Sequence, residues 1–161
     1  MRRILIAGIG NVFLGDDGFG VEVVADLARR SLPEGVEVAD FGIRGLDLAY
    51  SLMDGYDAAV LVDAMPRGHA AGTVYVLEPD LEKLDGFGMI ESHAMNPVEV
   101  FRLVKQMGGS APKCYLVGCE PATFGPEEGS MGLSEPVQAA VAVAAERVEA
   151  LLDELTAVEV R

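Results

Sequence analysis

Residues 58–64, Ala-Ala-Val-Leu-Val-Asp-Ala, are apolar at nearly every position, whichever face of a strand they point to. A strand sends alternate side chains to opposite faces, so this segment must be covered on both. That requirement selects the interior of a mostly parallel sheet held between two layers of helix. The flanking sequence supplies the other parts. Arg-Ile-Leu-Ile-Ala-Gly at 3–8 reads as a first strand and Val-Glu-Val-Ala-Asp at 36–40 as a second. Gly-Thr-Val-Tyr-Val-Leu at 72–77 reads as a fourth, and Lys-Cys-Tyr-Leu-Val-Gly at 113–118 as a fifth. Between them, apolar residues recur at helical spacing over 18–31, 45–53, 97–107 and 135–155. Ser134 precedes the last helix as an N-cap, with Pro136 tolerated in its first turn.

One connection breaks the strand–helix alternation. Only Met-Pro-Arg-Gly-His-Ala-Ala-Gly separates the third strand from the fourth, which is too short for a helical crossover. The fourth strand is therefore predicted to be antiparallel. The expectation is an α/β three-layer sandwich: a mixed five-stranded sheet with helices on both faces. At 161 residues, without repeats or linkers, the chain is expected to form one domain over 1–161.

The formal net charge is −14. Such a surface repels nucleic acid and anionic membrane and suits a cation, a metal or a basic protein segment. Cys114 and Cys119 fall on one predicted strand five positions apart and so face opposite ways. That arrangement suits neither a disulfide nor a shared metal, and implies two core thiols in a reducing cytoplasm. The opening residues lack the apolar core of a signal peptide, and no apolar run is long enough to span a membrane. A cytoplasmic protein is expected.

Ligands of open α/β sheets bind beyond the carboxyl ends of the strands. Acids are predicted to collect there: Asp17 after the first strand, Asp40 at the end of the second, Asp63 at the end of the third and Glu120 after the fifth. His93 precedes a helix in Met-Ile-Glu-Ser-His-Ala-Met-Asn-Pro. Carboxylates and an imidazole from separate loops make a plausible metal site with open positions. Each has a plainer reading. Asp16 or Asp17 could favour the next helix N-terminus, worth about 0.3–1 kcal/mol. Asp40 could form a turn before Gly42, and His93 could simply line a loop. Asp63 is harder to dismiss, because a charge ending an apolar strand needs a partner or a ligand. His69 is expected to be exposed, Glu120 to be a loop residue near the site, and Arg44 to offset part of the acidic edge or bind a carboxylate. The glycines at 8, 10 and 15 do not form a dinucleotide fingerprint, since Phe13 stands where its third glycine belongs and two acids follow.

The whole stretch Gly-Ile-Gly-Asn-Val-Phe-Leu-Gly-Asp-Asp-Gly-Phe-Gly at 8–20 resembles the opening motif of the hydrogenase maturation proteases, the endopeptidases that trim the C-terminus of nickel–iron hydrogenase large subunits. The blocks 36–52, 58–77, 92–108 and 116–137 resemble that family in order and spacing. The second block departs from it, with Asp40-Phe41-Gly42-Ile43 where many members read Asp-Gly-Gly-Thr. The resemblance implies that Asp17, Asp63 and His93 bind nickel. It implies too that the metal arrives already loaded in the substrate, a hydrogenase large-subunit precursor. Asp16 is then left to serve the turn or a helix end. A nearby carboxylate could orient or deprotonate the attacking water, and Asp40 is a candidate for it. No serine elbow, cysteine–histidine pair or His-Glu-x-x-His motif offers another hydrolytic route. Two other readings stay open: a nickel-dependent binding or chaperone module that does not cut, and a nucleotide-binding enzyme, which the acidic loop disfavours. A monomer that docks transiently on its substrate is expected.

Overall fold

The computed structural model describes residues 2–83 and 96–157. Its elements are β1 (Ile4–Ile9), a 3₁₀ turn (Gly15–Gly18), α1 (Phe19–Ala28), β2 (Val36–Gly42), α2 (Gly45–Leu52), β3 (Ala58–Ala64), β4 (Val74–Leu77), α3 (Pro97–Gln106), β5 (Lys113–Cys119) and α4 (Glu135–Ala157). The five strands lie in the order β2-β1-β3-β5-β4. All pairs are parallel except β4 with β5, which is antiparallel, as the short third connection requires. β2 runs two residues past Asp40, because Phe41 is buried and Gly42 pairs with Ile9 across a register shift.

β3 is central and wholly buried, and alternate side chains feed two cores. Val60 and Val62 join Ile4, Ile6 and the buried stripes of α1 and α4. Ala59 and Leu61 join Leu5, Ala7, Ile9 and the stripes of α2 and α3. Cys119 belongs to the first core and Cys114 to the second, both as free thiols, so the opposite-face expectation holds. Burial raises both thiols to about 12, which leaves them protonated and unreactive. Asn96 begins α3, its side chain accepting from the Glu99 N–H, with Pro97 in the first turn.

Two glycines bring the first loop onto the carboxyl edge of the sheet. A Cβ on Gly20 would stand 2.1 Å from the Val62 carbonyl oxygen and 2.5 Å from that of Ile9. The first turn of α1 therefore rests directly on the ends of β1 and β3. Gly10 has φ +138°, and a Cβ there would stand 1.8 Å from the Asp17 carbonyl oxygen. Gly20→Ala is expected to destabilise the protein by about 2–3 kcal/mol, because only backbone lies in the way of the added methyl. A urea midpoint lowered at unchanged slope checks this.

Candidate active site

The parallel strands β1, β2, β3 and β5 all end at one edge, and the loops that follow them meet there. Asp63 is the penultimate residue of β3, opposite Gly118 of β5. It shares the parity of Ala59 and Leu61 and so points to the α2–α3 face. α2 and α3 pack together on that face, and Gly109 after α3 lies against Met53 at the end of α2. Both helices thus finish at the far edge, and α3 starts near the carboxyl edge.

Asp63 is buried among apolar neighbours, and its Oδ1 has no hydrogen-bond partner among the described residues. Desolvation first, then the nearby Asp17 carboxylate, raises its pKa well above the usual carboxylate range; the Ala64 N–H works the other way. Asp17 is also buried, in the 3₁₀ turn, and its Oδ2 accepts the Asn11 N–H at 2.7 Å. Burial raises its pKa as well, against that hydrogen bond. Among the described residues no cation faces either acid. Two coupled, buried carboxyl groups, one with an orphaned oxygen, have the donor chemistry to take a divalent cation.

The neighbouring acid has a different task. Both oxygens of Asp16 are satisfied by distant residues: Oδ1 by the Ser134 N–H at 2.7 Å, Oδ2 by the N–H groups of Ala122 and Thr123 at 2.8 and 3.1 Å and by the Ser134 hydroxyl at 2.8 Å. Burial pushes its pKa up, but these bonds together leave it below the ordinary value. Gly18 precedes α1 with no side-chain cap, so neither Asp16 nor Asp17 caps the following helix. The helix whose start Asp16 holds is α4.

The other predicted acids are not drawn to this pair. Asp40 is exposed on the edge strand and shares the parity of Val36 and Val38, on the face opposite Asp63. Its backbone carbonyl accepts from Arg44, and Arg44 also pairs with Asp47 at 3.5 Å. Glu120 is buried, which a loop reading does not anticipate. Its carboxylate accepts the N–H groups of Arg67 and His69 and so ties down the β3–β4 loop. The sequence signal for this was an acid directly after an apolar strand with no cation nearby. His69 is exposed, as expected. His93 lies outside the described residues, three positions ahead of Asn96.

The sequence profile of the hydrogenase maturation protease family matches residues 21–151. This chain belongs to the hydrogenase maturation protease family. It is 33% identical over 155 residues to a putative hydrogenase maturation protease of Methanocaldococcus jannaschii, covering 96% of this chain and 97% of that one. It is 32% identical to the hydrogenase 2 maturation protease of Escherichia coli, covering 94% and 92%. Among solved structures, the hydrogenase maturating endopeptidase HybD of Escherichia coli superposes with a TM-score of 0.78 at 32% identity over 95% of this chain and 93% of that one. The [NiFe] hydrogenase maturation protease HycI of Thermococcus kodakarensis superposes with a TM-score of 0.70 at 27% identity over 94% and 93%. As a member of the family, the chain is an endopeptidase, and its α/β sheet with one antiparallel strand is the family's fold. Among the described residues no helix is long and apolar enough to cross a membrane.

Proposed function

We propose that this protease removes a C-terminal extension from the nickel-loaded large-subunit precursor of a nickel–iron hydrogenase, and that it reads the loaded metal through Asp17, Asp63 and His93. The observation that carries this reading is the buried carboxyl of Asp63 beside Asp17, with its Oδ1 lacking a partner among the described residues. A structural role would leave that acid with a partner. A cation presented by a substrate would complete it on binding. The nickel in this reading is part of the substrate and not a resident cofactor. Asp17 and Asp63 would hold that metal, and with it the adjoining peptide, in place. A carboxylate at the lip of the cleft would take a proton from the attacking water. Asp40, turned to the face opposite Asp63, is not placed to be that carboxylate. The reaction belongs in the cytoplasm, with a monomer binding the precursor transiently.

The test is cleavage of purified precursor, loaded and nickel-free, followed by mass. A C-terminal peptide is expected to leave only the loaded form. Asp17→Ala, Asp63→Ala and His93→Ala are expected to abolish its release. Equal cutting of the nickel-free form would overturn metal reading by the site. Binding of the loaded form without any change of mass would make the protein a checkpoint that does not cut.

A further inference from the structure

Three large apolar side chains stand in solvent on the loops that follow β1 and β5: Phe13 at 59% exposure, Phe124 at 40% and Met131 at 69%. They arise from two loops far apart in sequence whose backbones are bound together. The Ser130 N–H donates to the Phe13 carbonyl at 2.8 Å, the Gly15 N–H to the Ser130 carbonyl at 2.8 Å, and the Asp16 N–H to the Thr123 carbonyl at 3.0 Å. A Cβ on Gly15 would stand 3.1 Å from the Phe124 carbonyl carbon. Asp16 adds its four side-chain bonds to the same junction. The Gly10 N–H donates to the Gly42 carbonyl at 2.9 Å, which brings Ile43, 60% exposed, to the other side of the first loop. Backbone bonds hold these loops together while the apolar groups stand in water. Exposure of that kind next to a site marks a surface that another molecule covers. The same loop carries Glu127 and Glu128, both exposed, on a chain of net charge −14.

We propose that Phe13, Phe124, Met131 and Ile43 form the docking surface for the hydrogenase precursor, and that the segment seated there is apolar and flanked by lysine or arginine. The proposal rests on the function proposed above. The acids lie buried at the sheet edge, so a protein substrate that reaches them must cover this rim. Hydrophobic contact supplies affinity, and the acidic flank supplies attraction that salt weakens.

The test measures the dissociation constant for the purified nickel-free precursor, and KM and kcat for the loaded one. The variant Phe13→Ser/Phe124→Ser/Met131→Ser is compared with Val143→Ser, an exposed apolar position on α4. The triple variant is expected to weaken binding and raise KM by roughly 30-fold or more, with kcat within about two-fold and an unchanged thermal midpoint. Val143→Ser is expected to behave as wild type. Wild-type affinity should fall with added salt, and Glu127→Gln/Glu128→Gln should flatten that dependence. Equal binding by the triple variant and the wild type would overturn the proposal, as would a wild type that does not bind the precursor. If the wild type binds and the triple variant does not, but neither cuts loaded precursor, the docking surface stands and the proposed cleavage fails.

Discussion

Asp63→Asn is expected to yield a protein that is more stable than the wild type and inactive on its substrate. In the wild type, burial and the facing Asp17 make the charged form of Asp63 costly, and one oxygen has no partner among the described residues. An amide of the same shape removes the charge. The gain should be about 1–2 kcal/mol at neutral pH, which for a chain of this size raises Tm by roughly 2–8 °C. Its pH dependence identifies the cause. Below about pH 4 the wild-type carboxyl is protonated whether the chain is folded or unfolded, so the two proteins differ least there. As pH rises, the unfolded chain releases the proton first, and the wild type loses stability until the folded carboxyl also ionises. Asparagine does not titrate, so its advantage grows through that window and then levels off. Melting curves from pH 4 to 8 check the sign. Cleavage of loaded precursor should fall by at least roughly a thousand-fold, as for the loss of a principal catalytic group. A less stable Asp63→Asn protein would show that the carboxyl is held by a structural partner and not kept for a ligand.

Asp16, one residue from Asp17, should respond in the opposite way. Asp16→Ala strands three backbone N–H groups and a hydroxyl at the junction of the first loop with 122–134. The expected loss is about 3–5 kcal/mol, and a fall in Tm on the order of 10 °C. Asp16→Asn should be nearly as damaging. Each carboxylate oxygen accepts at least one backbone N–H, so a side-chain amide meets a donor in either orientation. Here the folded pKa is lowered, so the contribution is fully present above the unfolded value near pH 4 and is lost as pH falls through the folded one. The destabilisation should therefore be widest at neutral pH and narrow below about pH 4. Thermal melts of the two variants across that range measure it. An Asp16→Asn protein as stable as the wild type would mean the carboxylate charge is not what holds the loops.

This division of labour between neighbouring acids explains which parts of the site could be read in the chain. The doubly apolar run at 58–64, the helical stripes and the short connection before β4 fix the sandwich and its antiparallel strand, because period and loop length are local properties. The acid at position 63 could be singled out for the same reason: a charge within an apolar strand is anomalous on its face. Asp16 and Asp17 look alike locally. What separates them is contact with residues more than a hundred positions away, 122, 123 and 134, which fill the hydrogen-bonding capacity of Asp16 and not that of Asp17. Asp40 and Glu120 make the same point in reverse. In sequence both read as acids at strand ends, yet the pleat turns Asp40 to the other face, and the backbone of the β3–β4 loop takes up Glu120.

The sequence by itself determined the layers, the strand directions and the opening acidic turn, along with a family resemblance that the comparisons bear out. Only the tertiary structure decided which carboxyl groups remain unsatisfied. Hydrogen-bond partners and desolvation are set by what the fold brings from elsewhere, and a single position in the chain carries no record of either.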